Sequence, residues 1–388
     1  MGKSSFDVII AGSGIVGAAC AAACAREGMR VALVERAVPG SGATAAGMGH
    51  IVVMDDSEAQ FALTQYSQLL WRQLSNHLPA SAEYEPRGTL WIAADEEEMA
   101  EAERKRDYYA ARDVPAVLLS ACELAAREPN LRTGLAGALL VPEDAVVYPP
   151  AVALHLTHNG QACGAEFMAN RSVAKMGNGE VLLDDGTRIT ATRLVNAIGA
   201  WSPQLTPGIP VKKRKGHLAI TGRYAGLVRH QLVELGYLKS AHTLGADSVA
   251  FNVQPRSTGQ ILIGSSRQYG NEESGVDQHM LAAMLQRAAL YMPTLARLQI
   301  IRVWTGFRAA TPDKLPMIGP WPGDDSIWLA TGHEGLGITT ALGTAELVAA
   351  GLTGKQPPIA PEPYLPARCE ASNSFHEDHK EPLCNGKA

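Results

Sequence analysis

The chain begins with a short, mostly apolar run, which is followed by a glycine-rich turn and then by a stretch in which alanine dominates. The first run, FDVIIA at 6–11, is rich in β-branched residues and is typical of a buried strand. The alanine-rich stretch reaches Arg26 and predicts a helix, and an apolar run at 30–35 predicts a second strand. This order predicts a βαβ unit with two parallel strands.

Two later segments have a similar character. Residues 175–202 contain Asn178–Gly179 and Asp185–Gly186, which are hairpin turn signals, and they end in a strand that stops at Gly199. An apolar run from Ile327 precedes a glycine-rich turn and a helix that reaches about Gly351. Segments of strand, turn and helix therefore occur near the start, the middle and the end of the chain.

The stretches between these segments predict a second folding unit. Asp95–Arg112 predicts a helix whose many charges indicate a solvated face. Strand-like runs occur at 216–221, 248–253 and 260–265, and an amphipathic helix is expected at about 277–292. We therefore expect two interwoven domains, with 1–82, 144–210 and 305–366 in the first and 83–143 and 211–304 in the second.

The last residues, 367–388, are polar and charged without periodicity. They predict an extended tail, which is either disordered or docks on a partner chain.

The spacing Gly12-x-Gly14-x-x-Gly17 lies at the first turn of the βαβ unit. Gly12 permits the tight turn, Gly14 lets the backbone approach a pyrophosphate, and Gly17 lets the helix pack closely on the strand. The N–H groups at the helix start then face the phosphates. Glu35, at the end of the second strand, is placed to accept hydrogen bonds from a ribose diol. The segment predicts a dinucleotide site, for NAD or for FAD.

Composition narrows the classes of partner. The 34 Lys and Arg residues against 39 Asp and Glu residues give a net charge of −5, which offers no basic surface to a nucleic acid or an anionic membrane. The six cysteines form no CxxC pair, so we expect no metal site and no disulfide framework. A small-molecule partner is therefore favoured.

The uncharged residues 8–25 superficially resemble a signal peptide or a short membrane span. The three glycines of the dinucleotide motif argue against both, so no transmembrane segment is expected. We expect a cytoplasmic protein, and peripheral membrane association stays open.

Three segments favour FAD over NAD. Residues 41–53, SGATAAGMGHIVV, are mostly small, so this part of the chain can lie against a flat ring. The strand that stops at Gly199 and the glycine-rich turn at 332–337 each bring backbone close to a ligand.

Together these segments resemble the FAD-dependent D-amino-acid oxidase family, which includes glycine oxidase, sarcosine oxidase and D-amino-acid dehydrogenases. The resemblance rests on five motifs in this order: FDVIIAGSGIVGAA, SGATAAGMGH, RLVNAIGAWS, GFRAATPDKLPMIG and TGHEGLGITTALGTAELV. KGHLAIT and GHEGLGIT are most similar to the FAD-bearing subunits of multi-subunit dehydrogenases for D-hydroxyproline, opines or related secondary amines.

The resemblance implies an α/β fold. It implies a Rossmann-like FAD domain of the glutathione-reductase type, interwoven with an α+β substrate domain that has a mainly antiparallel sheet.

Arg308, in GFRAATPDKLPMIG, has the most informative chemistry, because its planar guanidinium can bind a carboxylate through two hydrogen bonds. The resemblance implies that Arg308 grips the substrate carboxylate beside the flavin, and an ion pair with Asp313 is the alternative. His50 and His333 are implied near the flavin, where either could tune the flavin or the substrate amine near neutral pH, and a hydrogen-bonding packing role is the alternative. Tyr269 follows a strand that should face the substrate, or is a plain surface or core tyrosine.

A noncovalent FAD is expected, because Ala309 and Ala310 stand where monomeric sarcosine oxidases carry a linking cysteine. The predicted cofactor-binding residues are Gly12, Ser13, Gly14, Ile15, Val16, Gly17, Glu35, Arg36, Ala43, Thr44, Ala46, Gly47, Met48, Gly49, His50, Val173, Ala197, Gly199, Trp201, Gly306, Arg308, Gly332, His333, Glu334, Gly335, Leu336, Gly337, Ile338 and Thr339.

The implied reaction removes hydride from the Cα–H of a small D-, secondary or cyclic amino acid and gives an imine, with flavin N5 as the acceptor. The resemblance favours a catalytic dehydrogenase subunit in a hetero-oligomer, with a partner subunit that accepts the electrons. Two alternatives stay open: an oxygen-using oxidase of the glycine or sarcosine type, and a flavin-binding electron carrier or scaffold without its own amine chemistry.

Overall fold

The strands of the computed structural model form two large sheets and one two-stranded sheet of His50–Ile51 with Ala145–Val146, within residues 5–236 and 247–369, which are the residues that the structure describes. In chain order the strands are β1 (Ser5–Ala11), β2 (Val31–Glu35), β3 (His50–Ile51), β4 (Thr89–Ala93), β5 (Val117–Ser120), β6 (Gly137–Val141), β7 (Ala145–Val146), β8 (Glu166–Ala169), β9 (Val173–Gly177), β10 (Glu180–Leu183), β11 (Arg188–Asn196), β12 (Lys212–Arg223), β13 (Gln231–Glu234), β14 (Ser248–Pro255), β15 (Gln260–Arg267), β16 (Ile300–Ala310), β17 (Met317–Trp321) and β18 (Asp324–Thr331).

The helices are α1 (Ile15–Arg26), α2 (Glu58–Ser75), α3 (Glu96–Ala110), α4 (Ala121–Arg127), α5 (Pro149–Ala162), α6 (Gln278–Tyr291) and α7 (Gly337–Thr353). The predicted tail at 367–388 lies outside the described residues except for 367–369.

The first sheet has the strand order β17-β18-β11-β1-β2-β8, with β10 and β9 attached to β11. Strand β1 pairs in parallel with β2 and β11, and β8 and β18 extend the parallel arrangement on the two sides. The predicted βαβ unit is therefore confirmed as β1, α1 and β2. The carboxyl ends of these parallel strands meet at one edge of the sheet, which is where such sheets bind ligands.

Helix α1 packs between α5 and α7 on the first sheet. Its buried face consists almost entirely of alanine, glycine and cysteine, which allows the helices to approach closely. Cys20 and Cys24 are buried free thiols on this face, and burial raises the pKa of Cys24 to about 12. They therefore act as small apolar residues rather than as reactive thiols.

The predicted meander is present as β9, β10 and β11. Its first turn has Asn178 at φ 51° and Gly179 at φ 73°, which is the left-handed backbone that a tight two-residue hairpin requires.

The second sheet has the order β16-β12-β15-β14-β13-β4-β6-β5. Its pairs are antiparallel except for β13 with β4, so the mainly antiparallel sheet is confirmed. Helix α6, which begins after the N-cap Asp277, packs on β14 and β15, and the rings of Phe251 and Tyr291 stack there at 4.7 Å.

The predicted boundary between residues 304 and 305 cuts β16, which runs from 300 to 310 and belongs to the second sheet throughout. The second unit therefore contributes strands up to residue 310, because the pairing of β12 with β16 continues to Ala310. The division into two domains otherwise stays a prediction.

Helix α3 differs from the prediction of a solvated charged face in one respect. The side chain of Lys105 is fully buried and forms an ion pair with Asp55. Its ammonium nitrogen also lies 5.1 Å from the ring of Trp91 and 5.2 Å from the ring of Tyr109. The charged sequence therefore conceals a buried cation whose charge is balanced inside the protein.

Across the described ranges 5–236 and 247–369, no helix combines the length and the apolar character that crossing a membrane requires.

Candidate active site

The glycine motif forms a close-packed turn between β1 and α1. Gly12 has φ 94°, a conformation that glycine adopts without strain. A Cβ at Gly17 would lie 1.9 Å from the carbonyl oxygen of Gly12, so only glycine allows the helix this close to the turn. The hydroxyl of Thr44 accepts the N–H of Ile15 at 3.0 Å. The turn therefore brings the start of α1 and the loop after β2 to one place.

Glu35 ends β2 beside this turn and is buried. One carboxylate oxygen accepts the backbone N–H of Ser13 at 2.7 Å, and the other accepts the N–H of Ala37 at 2.9 Å. An ionised carboxylate has about four acceptor positions, so Glu35 keeps capacity for a ribose diol. The two backbone bonds hold the carboxylate at the carboxyl edge of the first sheet.

A cavity of about 550 Å³ begins at this turn and extends between the two sheets to β16. Most predicted site residues line it: Gly12, Gly14, Ile15, Val16, Glu35, Arg36, Ala43, Thr44, Ala46, Gly47, Met48, Gly49, His50, Val173, Ala197, Gly199, Trp201, Gly306, Arg308, His333, Glu334, Gly335, Leu336, Gly337 and Ile338.

Five predicted residues do not line the cavity: Ser13, Gly17, Tyr269, Gly332 and Thr339. Four of them shape its wall from behind: Ser13 holds Glu35, Gly17 packs on the turn, Gly332 packs on Thr311, and Thr339 donates its hydroxyl to the carbonyl of His50 at 2.9 Å. The hydroxyl of Tyr269 accepts a hydrogen bond from the guanidinium of Arg214 at 3.2 Å. Tyr269 therefore contacts an arginine rather than the cavity.

Arg308 lies on β16 and lines the cavity over Gly216 of the neighbouring strand β12. Its Nη1 donates to the carbonyl oxygen of Ser266 at 3.0 Å. Burial, together with the positive charge of Arg214, lowers the pKa of Arg308 to about 10. The alternative pairing with Asp313 is wrong, because Asp313 binds Arg368, with a nitrogen–oxygen distance of 2.7 Å.

A buried hydrogen-bond chain holds Ser266. Its hydroxyl accepts the backbone N–H of His217 at 2.9 Å and lies 2.9 Å from Nδ1 of the same residue. Nε2 of His217 accepts the backbone N–H of Asp277 at 3.0 Å, so the ring is neutral and Nδ1 carries the proton. The carbonyl that holds Arg308 is thereby tied to the start of α6.

Two further arginines line the same end of the cavity, Arg214 on β12 and Arg267 on β15. Arg214 forms an ion pair with Glu334, and the side chains of both are more than nine-tenths buried. Glu334 has φ 54°, and its N–H donates to the carbonyl of Ala309 at 2.9 Å, so β16 holds it in a strained backbone conformation. Burial and the charges of Arg214 and Arg308 lower the pKa of Arg267 to about 9.

The second sheet also brings neutral polar groups to the cavity wall. Trp91 Nε1, Gln231 Oε1, Asn252 Oδ1 and Ser265 Oγ are buried and form no hydrogen bond with the part of the chain that the structure describes. They come from β4, β13, β14 and β15, which are consecutive neighbours in the second sheet. Buried polar groups without partners are costly, so these atoms indicate a polar ligand.

The two predicted histidines are neutral. Burial lowers the pKa of His50 to about 4 despite an opposing hydrogen bond with Gln254. Burial alone lowers the pKa of His333 to about 4, and its Nε2 lies 3.0 Å from the hydroxyl of Thr344. Both rings are therefore uncharged at pH 7, so any effect that they have on a flavin or an amine would come from hydrogen bonds and packing rather than from a ring charge.

Sequence reasoning missed Arg214, Arg267, Trp91, Gln231, Asn252 and Ser265. The sequence offers a signal for Gln231, Asn252, Ser265 and Arg267, because each is a polar residue within a mostly apolar strand. A buried strand does not need polar side chains for contact with solvent. Arg214 was hidden in the basic run KKRK.

Comparison with known proteins gives a consistent result. The family model described as "DAO: FAD dependent oxidoreductase" matches residues 7–350. Glycine oxidase from Pseudomonas aeruginosa is 28% identical, with 93% of this chain and 98% of that protein aligned. Hydrogen cyanide synthase subunit HcnC from Pseudomonas protegens is 27% identical, with 94% and 96% aligned. The crystal structure of glycine oxidase from Geobacillus kaustophilus superposes with a TM-score of 0.83 at 26% identity, over 93% of this chain and 98% of that chain.

Proposed function

The chain belongs to the DAO family of FAD-dependent oxidoreductases and acts on amino acids, and from this premise we propose that it oxidises the Cα–N bond of a small D-, secondary or cyclic amino acid to an imine. The observation that carries the proposal is Arg308, which faces the cavity and forms no ion pair within the described residues. A buried guanidinium without a carboxylate partner fits the carboxylate of an amino acid.

The residues at the glycine turn fit the dinucleotide part of FAD. Gly12 and Gly14 would leave room for the pyrophosphate, the start of α1 would face it, and Glu35 would accept the ribose hydroxyls. Ala309 and Ala310 offer no thiol for a covalent link. Bound FAD supplies the hydride acceptor of the reaction.

The remaining residues position the substrate. Arg308 would hold the carboxylate, and the carbonyl of Ser266 would hold Arg308 in turn. Gln231 Oε1 and Asn252 Oδ1 are acceptors without partners in the described residues, and they would accept the N–H groups of the amine. The substrate loses a hydride from Cα and a proton from nitrogen. His50 and His333, which are neutral, would act as hydrogen-bonding and packing groups rather than as a charged acid.

We further propose that the protein is the catalytic subunit of a dehydrogenase and works in the cytoplasm. The support for a subunit role is the similarity to a hydrogen cyanide synthase subunit over nearly the whole chain. An oxygen-using oxidase is the second candidate, because the glycine oxidases are comparably similar.

Anaerobic reduction of the bound flavin by a panel of small amino acids tests the proposal. We expect at least one D-, secondary or cyclic amino acid to bleach the flavin, and Arg308→Ala to lower kcat/KM by about tenfold or more, the scale of a lost hydrogen bond to a charged group. Arg223→Ala, at an exposed position of β12, is the matched control. No bleaching by any amine would contradict the amine chemistry and favour the electron-carrier alternative. Oxygen consumption measured in parallel distinguishes an oxidase from a dehydrogenase.

A further inference from the structure

Glu334 has one carboxylate oxygen that the described part of the chain leaves without a partner. Its Oε1 belongs to the ion pair with Arg214, whereas its Oε2 is buried and forms no hydrogen bond within residues 5–236 and 247–369. Glu334 lines the cavity in the turn that precedes α7. A buried, ionised oxygen without a partner is costly, so this atom indicates that a donor group of a ligand completes the site.

The backbone holds Glu334 beside Arg308. The bond from its N–H to the carbonyl of Ala309 joins the turn to β16, one residue beyond Arg308. A Cβ at Gly335 would lie 3.8 Å from Nε of Arg308. Arg214, which pairs with Glu334, is directly opposite Arg308 in the register of β12 and β16. The free carboxylate oxygen therefore belongs to the same end of the cavity as the guanidinium that we assign to the substrate carboxylate.

An α-amino acid carries a carboxylate and an ammonium group on one carbon atom. Arg308 complements the first group, and Glu334 complements the second. The ammonium form has one N–H more than the neutral amine, whose N–H groups we assign to Gln231 and Asn252. The additional N–H needs a further acceptor, and a carboxylate forms a strong, charge-assisted hydrogen bond with an ammonium group.

Four cations from β12, β16, β15 and the loop before β17 act on the charge of Glu334: Arg214, Arg308, Arg267 and Lys314. Burial has the larger effect and raises the pKa of Glu334 above its ordinary value, although these cations favour the ionised form. The neighbouring ring of His333 is neutral at pH 7. A carboxylate with a raised pKa accepts a proton more readily than an exposed carboxylate does.

We propose that Glu334 binds the ammonium group of the substrate through Oε2 and then accepts a proton from it. The N–H bond breaks and an O–H bond forms on Glu334. The electron pair stays on nitrogen, where it forms the C=N bond when the hydride leaves Cα. This inference rests on the proposed function and adds the group that receives the proton. The site should accordingly prefer an α-amino acid to a carboxylic acid of the same shape.

Binding of acids that cannot react tests the ammonium site. 2-Aminoisobutyrate and 2,2-dimethylpropanoate have the same shape, carry no hydrogen on Cα and differ in one ammonium group. Changes in the flavin absorption spectrum of the holoenzyme report their binding. For the wild-type protein we expect 2-aminoisobutyrate to bind at least about tenfold more tightly. Glu334→Gln should reduce the difference to within about threefold.

Glu346→Gln is the matched control, because Glu346 also forms an ion pair with an arginine, Arg26, and does not line the cavity. It should leave the preference unchanged. The double variant Arg214→Gln with Glu334→Gln is the second test, in case the single variant leaves Arg214 unpaired and does not fold. It removes both charges of the ion pair, and we expect the same loss of preference. Equal binding of the two acids by the wild-type protein would overturn the inference, and so would a preference that persists in either variant.

The pH dependence of flavin reduction tests the proton transfer. At saturating substrate and without oxygen, the limiting rate of the wild-type protein should vary by less than about threefold between about pH 7 and about pH 9. In Glu334→Gln the rate should rise by about tenfold per pH unit below the pKa of the amine, because only the neutral amine then reacts. A purely structural role of Glu334 would lower the rate by the same factor at every pH, and that result would overturn the inference.

Two results separate this inference from the proposed function. Reduction of the flavin by an amino acid with the same rate and pH profile in the wild type and in Glu334→Gln would overturn the role of Glu334 and leave the amine oxidation standing. Preferential binding of 2-aminoisobutyrate that requires Glu334, without flavin reduction by any amine, would support the ammonium site and contradict the proposed reaction.

Discussion

Gly216 offers a way to move Arg308 without removing its charge. A methyl group at this position would lie 2.4 Å from Nη1 and 2.9 Å from Cζ of Arg308. The first distance is about 1 Å inside ordinary van der Waals contact, which begins near 3.4 Å. The guanidinium is the far end of a flexible side chain, so Gly216→Ala should displace it rather than unfold β12. The displacement would also strain the 3.0 Å bond to the carbonyl of Ser266.

The expected cost follows from that displacement. Misplacing a positioning group by about 1 Å lowers rates by about 100-fold in many enzymes. Loss of one hydrogen bond to a charged group costs about 1.5–3 kcal/mol, which corresponds to about 10- to 150-fold. We therefore expect Gly216→Ala to lower kcat/KM for the best amino-acid substrate by about 10- to 100-fold. The melting temperature and the bound flavin should stay close to those of the wild-type protein.

Stopped-flow reduction of the flavin without oxygen, at several substrate concentrations, measures this effect. Gly222→Ala is the matched control, because it adds the same methyl group to the same strand, where the nearest atom, Cε2 of Tyr224, lies at an ordinary 3.5 Å. A Gly216→Ala protein that keeps its flavin and reacts within about threefold of the wild-type rate would refute the assignment of Arg308 to the substrate carboxylate.

Three further predictions concern cofactor binding and stability. Gly17→Ala should lose FAD and stability together, because its methyl group would overlap the carbonyl oxygen of Gly12, and absorbance of the purified protein reports this. Burial raises the pKa of Asp144 to about 7, so between pH 4 and 7 the native state keeps a proton on Asp144 that the unfolded state loses. The wild type therefore loses stability as the pH rises through this range, and Asp144→Asn does not. The melting temperature of Asp144→Asn should accordingly rise relative to that of the wild type from pH 4 to pH 7. Lys105→Met should destabilise by at most about 3–5 kcal/mol in urea unfolding, because it removes one of the two cations that pair with buried Asp55 and leaves only Arg104.

Each of these predictions has a contradicting result. A Gly17→Ala protein with a full flavin spectrum would show that the turn tolerates a side chain. A constant difference in melting temperature between Asp144→Asn and the wild type across that pH range would show that Asp144 does not titrate there. For the buried ion pair, the double variant with Asp55→Asn should recover part of the loss, and strictly additive losses would show that the two side chains do not interact.

The dinucleotide half of the molecule could be predicted from the sequence because its chemistry is local. The glycine turn, α1 and Glu35 fall within about thirty residues, and each residue type has a single physical reason to be there. Arg308 could be predicted for a related reason, since its surrounding motif is contiguous. The loop at 41–53 and the turn before α7 also line the cavity as expected.

The substrate half could not be predicted in the same way, because it depends on register between distant strands. Arg267 reaches the site through the pairing of Lys215 with Gln268, and Arg214 reaches it through the pairing of β12 with β16. Neither pairing has a signal in the sequence. Tyr269 shows the converse limit. It is two residues from Arg267, which lines the cavity, but its own side chain contacts Arg214 and does not line the cavity.

The split of the cavity between two sheets has a consequence for how this protein can change over evolution. The first sheet supplies the glycine turn and Glu35, whereas the second supplies the three arginines and the row of neutral polar side chains from β4, β13, β14 and β15. Single substitutions on the second sheet can therefore exchange one substrate for another while the dinucleotide cradle stays intact. Selection can act on specificity and on cofactor retention almost independently, because the two sets of residues lie on separate frameworks.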